Sequence, residues 1–286
     1  YGGYELGDKL AYLGGRSLIP FQESSLKSRL KLNFASLIKR ILPLSSYEMD
    51  KETMDNYIKR LRKYKPDIIV GYSSALKFLA EYMESKNIED INPKSVHSTS
   101  EMLFPDQRKV IEKTFNCELF DGYGTGEAIV SAFECKKHNG LHLTAETGVT
   151  EIVDGEVIVT SILNRATPFI RYKVGDRSKF INEKCSCGRS LPLIDHIKGR
   201  IGDFLIGRNN RRVATTALTL MFGQAKVREY QLVQESKNKI VIKIIKDRDY
   251  SDEKTDYILN SLRMWLGKGI KLEIQFTDKI PLTKAG

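Results

Sequence analysis

Long apolar runs are missing from this sequence, as is the basic start followed by an apolar stretch that marks a secretory leader. Nowhere does a run approach the roughly 20 apolar residues of a membrane span, so none is expected. Cysteine is scarce, at four residues in 286, and tryptophan occurs once. Four cysteines without secretory features point to a reducing compartment, with cytoplasm the expected location and a disulfide scaffold excluded. There is no internal repeat and no low-complexity tract, which excludes solenoids and fibrous arrays. Acid falls short of base, 36 residues against 46, for a net charge of +10. That excess invites a nucleic-acid reading. Yet lysines and arginines interleave with acids, as in Lys246-Asp247-Arg248-Asp249, and the densest run, Lys59 to Lys65, falls on an expected helix as a solvated face. No nucleic-acid partner is expected.

What is present describes a globular chain, 41% hydrophobic and 29% charged, long enough for two domains. It opens without Met and stops after Pro281-Leu-Thr-Lys-Ala-Gly286, so it is expected to be a piece of a longer protein. Helical spacing covers Leu26 to Leu42, then Lys51 to Lys65, where Pro66 ends it. Apolar runs then alternate with helical stripes. Strands are expected at Asp67 to Gly71, Val96 to Thr99 and Glu118 to Phe120. Helices begin at Ser73 or Ser74, either able to cap, and at Pro105. This alternation implies a parallel or mixed sheet whose ligands collect at the carboxyl ends of its strands. From 141 to 183 the helical period disappears, and Glu156 to Ser161 and Phe169 to Tyr172 are expected to be antiparallel strands, with a turn at Asp154-Gly155. After Asp203 come a helix at Thr215 to Phe222, strands at Tyr230 to Gln234 and Lys239 to Lys246, a helix at Ser251 to Leu266 and a strand at Ile270 to Phe276. The fold class is therefore α/β (α+β overall): a mixed sheet flanked by helices with a β-rich subdomain, then a small α+β domain. The expected boundary separates 1–198 from 199–286.

Two stretches carry chemistry. Asp121-Gly-Tyr-Gly-Thr-Gly-Glu127 follows a strand but fails as a dinucleotide fingerprint, because Glu127 stands at the third glycine position. It remains a turn on which Tyr123 can pack on a base, Thr125 can donate to a phosphate and Glu127 can hold Mg²⁺. Gly124 would let the backbone approach a ligand. Farther on, Arg171-Tyr172-Lys-Val-Gly175-Asp176 offers a carboxylate on a Gly-Asp turn, able to accept from both hydroxyls of a vicinal diol. Arg200, in Gly199-Arg-Ile-Gly-Asp203, can fork onto phosphate or ribose oxygens. Between them lie Cys185 and Cys187, with Cys135, His138 and His142 upstream. Thiolates with imidazole suit tetrahedral Zn²⁺, but the spacing alone also fits ordinary reduced cysteines.

Tyr123-Gly-Thr-Gly-Glu127 resembles the YGxTE motif of the adenylate-forming superfamily, the acyl-CoA synthetases and adenylation domains. Arg171 to Asp176 is similar to its ribose motif, Gly199 to Asp203 to the hinge before its mobile lid, and Pro281 to Gly286 to the start of its closing PxTxxGK motif. Cys185-Ser-Cys-Gly-Arg189 resembles the phenylacetate-CoA ligase branch and its capsular polysaccharide relatives. The resemblance covers nearly the whole chain. It implies that Glu127 ligates ATP-bound Mg²⁺, Thr125 touches the α-phosphate, Tyr123 lies against adenine and Asp176 binds the ribose, with Asp121, Gly124 and Tyr172 beside the nucleotide and Arg200 contacting it from the junction. It also favours Cys135, His142, Cys185 and Cys187 as structural zinc ligands, with His138 the alternative imidazole. The implied reaction joins a small carboxylic acid to AMP from ATP, then passes the acyl group to a thiol, that of CoA or a carrier protein. Four departures stand out. The family's upstream phosphate loop is absent, as is the lysine after Gly286, so this chain alone is expected to be weak or inactive. Gly202 also replaces the usual hinge Asp or Lys, and Gly126 the usual Thr or Ser. The alternative is a relative that binds nucleotide or a partner without completing ligation.

Overall fold

A computed structural model describes residues 2–15, 40–46, 49–164, 166–198, 204–208, 212–214, 218, 221–222, 225, 227–248, 250–267 and 269–281. The chain divides into two compact units, with the break between Gly202 and Asp203.

In the first unit, β1 (Leu10–Gly14), β2 (Ile41–Ser45), β3 (Ile68–Tyr72), β4 (Ser95–Thr99) and β5 (Leu119–Gly124) pair in parallel, in the order β2-β1-β3-β4-β5. Helices α1 (Lys51–Tyr64), α2 (Ser73–Ser85) and α3 (Pro105–Phe115) fall between these strands. The α2 stripe is Leu76, Leu79, Ala80 and Met83, all fully buried, as its spacing requires. Pro105 opens α3, where a missing N–H costs nothing. The sheet continues antiparallel beyond β5 through β6 (Ser131–Glu134), β7 (Leu141–Leu143), β12 (Leu193–Ile194) and β11 (Phe180–Ile181), making nine strands in all. A separate antiparallel sheet holds β8 (Gly148–Val153), β9 (Glu156–Ser161) and β10 (Tyr172–Arg177). Asp154 and Gly155 both take positive φ (51° and 80°), the backbone of a two-residue hairpin turn.

Three expectations need correction. The helix over Leu26 to Leu42 fails at its end, where Ile41 and Leu42 belong to β2; positions 26–39 lie outside the described residues. Strand β5 runs on through Asp121 to Gly124, so the Gly-rich segment is half strand, and the turn itself begins at Thr125. Gly175-Asp176 is not a turn but the bulged middle of β10. There the register passes from Lys173↔Ile158 to Arg177↔Glu156, leaving extra residues on β10, and Gly175 takes φ 84°.

The second unit has its own core. β13 (Phe204–Ile206) pairs with β14 (Arg212–Ala214), and β15 (Val227–Ser236), β16 (Lys239–Lys246) and β17 (Lys271–Phe276) form a mixed sheet, β16 and β17 parallel. Helix α4 (Asp252–Leu266) buries Ile258, Leu262 and Leu266 with Leu218, Phe222, Ile240, Ile242 and Ile244, while Trp265 is only partly buried against them. Most of the helix expected over Thr215 to Phe222 lies outside the described residues, as do Arg200, Gly202 and 282–286.

Candidate functional site

The carboxyl end of β5 sits beside the point where the sheet changes from parallel to antiparallel. Two groups separated by 53 positions meet there: the Tyr123 hydroxyl donates to Asp176 Oδ2 at 2.8 Å. The bulge in β10 makes this possible by displacing Asp176 from the regular pleat. Past Gly124 the chain folds tightly, with Thr125 N donating to Val130 O at 3.3 Å and Ala128 N to Thr125 O at 3.0 Å. Ala128 takes φ 56°, unusual for a residue with a side chain. Glu127 is half-buried in this turn. Thr125 Oγ1 is buried and has no partner among the described residues. A Cβ on Gly124 would meet only Val130 O, at 3.8 Å, and one on Gly126 would meet nothing within 4 Å. Tyr172 lies apart in one respect: its ring packs on Phe169, centroids 4.9 Å apart, and is partly exposed.

Beneath the turn, Asp121 Oδ1 accepts from the Ser98 hydroxyl at 2.7 Å. Near the ends of β3 and β4, Glu101 accepts from both Ser74 N–H (2.9 Å) and Ser74 Oγ (3.0 Å). The carboxylate therefore satisfies the start of α2, where the sequence suggested a serine cap; Tyr72 holds the cap position and makes no side-chain cap bond. Burial pushes the Glu101 carboxyl up to about 7, against the downward pull of the two Ser74 bonds. Periodicity alone does not fix this role, since the partner, Ser74, belongs to another element, α2. A residue the sequence did not single out is Glu134 of β6, fully buried and bound by Arg108 of α3 at 2.8 and 2.9 Å. Its one sequence signal is a charge at a buried strand register, two residues after the buried Ala132.

The thiols and one imidazole form a second site. Ligand atoms of Cys135, His142, Cys185 and Cys187 all lie within 4.8 Å of one another. Cys135 Sγ is 3.6 Å from Cys185 Sγ, and Cys187 Sγ is 3.4 Å from His142 Nε2. A tetrahedron with metal–sulfur bonds of about 2.3 Å has edges of about 3.8 Å, close to these two separations. His138 does not join them: its ring stacks on Phe120 and its Nδ1 is 3.0 Å from Glu134. A backbone N–H from Arg189 holds the Cys187 thiol down to about 6, while burial raises that of Cys135. Cys117 stands elsewhere, its thiol pushed up to about 12 by burial, as an inert packed sulfur. Among the described residues, no helix is long and apolar enough to cross a membrane.

The chain is similar to known proteins along most of its length. The family model of the CapK C-terminal domain matches residues 205–286. Protein CapK of Staphylococcus aureus is 29% identical over 98% of this chain and 64% of its own length. A phenylacetate-coenzyme A ligase of Thermus thermophilus is 24% identical over 86% of the chain and 61% of its own length. The chain thus spans less than two thirds of these relatives. Among solved structures, 2-hydroxyisobutyryl-CoA ligase in complex with an acyl-AMP and CoA superposes with a TM-score of 0.58 at 18% identity, over 99% of this chain and 65% of that one, a likeness of fold. Residues 205–286 thus match the CapK C-terminal domain, and nearly the whole chain is similar to CapK and, more distantly, to the phenylacetate-CoA ligases of the adenylate-forming superfamily.

Proposed function

We propose that this chain carries the nucleotide half-site of an enzyme that activates a small carboxylic acid as its acyl-AMP and hands the acyl group to a thiol. The observation that carries the reading is the meeting of Tyr123 and Asp176 at the end of β5. A flat aromatic beside a diol-accepting carboxylate is what an adenosine needs. Thr125 would donate its buried hydroxyl to the α-phosphate, and the open face over Gly124 and Gly126 would let the ligand reach the backbone. Asp121, anchored by Ser98, would hold the strand that leads into the turn. Glu127 is the residue that would hold Mg²⁺, which when bound neutralises phosphate charge. Arg200, outside the described residues, would add a guanidinium from the junction.

The chemistry balances simply. A carboxylate oxygen attacks the α-phosphorus of ATP, the P–O bond to pyrophosphate breaks, and acyl-AMP forms. A thiolate of CoA, or of a carrier protein, then attacks the acyl carbon, and AMP leaves. Most of the acceleration would come from positioning and charge neutralisation. The second unit would serve as a lid that turns between the two steps. As the resemblance of Cys185-Ser-Cys-Gly-Arg189 to the capsular polysaccharide relatives implies, the acid would be one destined for a polysaccharide. The Cys135–His142–Cys185–Cys187 set would hold a structural Zn²⁺, with four protein donors and no position for reacting water.

Carboxylate-dependent ATP–pyrophosphate exchange tests the reading, run on the protein with the segments its relatives have beyond this chain. Exchange with one acid, lost in Glu127→Ala, is expected. AMP binding without exchange against any acid would favour a nucleotide-binding relative that does not ligate. Absence of both would overturn the site.

A further inference from the structure

We propose that His196 is a positioning residue whose protonated imidazole ties the segment before the domain junction to β5, fixing the strand from which the Tyr123–Glu127 turn departs. The inference deepens the nucleotide-site reading above and rests on it only for the identity of the ligand.

His196 follows β12 by two residues and precedes the 199–203 junction. Its ring lies between two carboxylates on different strands. Nδ1 is 3.6 Å from Asp121 Oδ2, and Nε2 is 3.4 Å from Glu134 Oε1. Both ring nitrogens therefore lie at ion-pair distance from carboxylate oxygens, an arrangement that favours the doubly protonated ring. Glu134 has no exposed surface, accepts from Arg108 and from the Asp121 backbone N–H at 2.8 Å, and meets His138 Nδ1 at 3.0 Å. Glu134 thus grips the backbone of the residue whose side chain His196 faces.

Charge explains why a cation belongs there. The Arg108 guanidinium pairs with Glu134 at 2.8 Å and also leans on Glu112 at 3.4 Å, so it is shared between two carboxylates while Asp121 lies nearby. One more positive charge balances Asp121 and Glu134. Every group facing His196 is accounted for in that balance. Asp121 and Glu134 favour the charged ring, whereas burial and the Arg108 charge oppose it, and the net direction is upward from the ordinary imidazole value. On its own segment, Asp195 accepts the His196 backbone N–H at 2.9 Å and pairs loosely with Lys179. His138 faces Glu134 from the far side, and His97 senses Glu134 from β4. As pH rises through the His196 value the clamp discharges and two carboxylates face each other across a neutral ring.

The test uses the chain as it stands, with its four histidines followed by NMR titration and the β5 amides by hydrogen exchange. His196 is expected to titrate above its ordinary value and to fall back toward it in Asp121→Asn. Amides from Asp121 to Thr125, corrected for intrinsic rates, should exchange up to about fivefold faster above that value than below it. His196→Gln should show the fast rate at every pH. His196→Arg, a fixed cation, should restore the slow rate and abolish the pH dependence, which a role in packing alone would not produce. The Kd for Mg²⁺-AMP should follow the same pattern. A His196 titration at or below the ordinary value, or unchanged exchange in His196→Gln, overturns the proposal. Exchange that behaves as described, while Mg²⁺-AMP fails to bind at any pH even to the protein carrying the segments its relatives have beyond this chain, supports the clamp and removes the nucleotide reading instead.

Discussion

Gly124 and Gly126 separate the demands of folding from those of binding at single residues. Neither takes a positive φ, and added Cβ atoms would find room, so the protein's own packing does not require glycine at either place. Gly124→Ala should therefore leave stability within about 1 kcal/mol of the parent, or slightly raise it. Nucleotide affinity should fall, because the methyl would occupy the face a phosphate must approach. Thermal melts with and without AMP check both halves; a loss of stability in the absence of ligand would mean the glycine serves the fold. Glu101 makes a prediction in pH. Its carboxyl is held at about 7 against an ordinary 4.5, so between those values the unfolded chain releases a proton that the folded one keeps. Stability must then fall as pH rises from about 4.5 to about 7 and level off above, by an amount on the order of 3 kcal/mol. The raised His196 works in the same direction, its contribution being present below its ordinary value and lost as pH rises through the folded one. Glu101→Gln should match the parent near pH 5 and melt higher near pH 8, which calorimetry at the two pH values reads directly.

At the scale of elements, the sequence exposed what is local and hid what is shared between strands. Strands β3, β4 and β16 and helices α1 and α4 were legible because each is an apolar run or stripe bounded by its own stop signals. The reach of β5 through Asp121–Gly124 was not, since two glycines in six residues look like a turn until β4 and β6 supply partners on either side. The bulge at Gly175-Asp176 was hidden for the same reason, because it is defined by the register of β9. Of the candidate site, the residue types at Tyr123, Asp176 and the four metal donors could be read, but the roles of Glu134 and His196 could not, as each acts on a group supplied by a distant element. The metal cluster shows what such coupling does for an element. Cys135 follows β6, His142 lies in β7, and Cys185 and Cys187 follow the two-residue strand β11, so one ion would pin the short outer strands of the sheet. Protein purified without added metal is expected to carry about one equivalent of zinc. Cys185→Ser should lower that content and raise hydrogen exchange in β7 and β12 while leaving β3 and β4 protected. Less than a tenth of an equivalent in the parent would remove the metal from the account.

Over the whole molecule the separation of cores determines how stability is distributed. The nine-stranded sheet and the α4–β16 core draw on different residues, and the probes sort cleanly between them. The sole tryptophan, Trp265, belongs to the second unit, while all four histidines (His97, His138, His142 and His196) belong to the first. Leu262 is fully buried in the second core. Truncating it to alanine deletes side-chain contacts and leaves a cavity, at a cost of about 2–5 kcal/mol. The lid role proposed for the second unit would need a core that does not depend on the first. Leu262→Ala should therefore shift the Trp265 fluorescence transition to lower denaturant while the histidine resonances of the first unit keep their midpoint. If instead both sets of probes move together, the two units fold as one cooperative body, and the turning lid loses its physical basis.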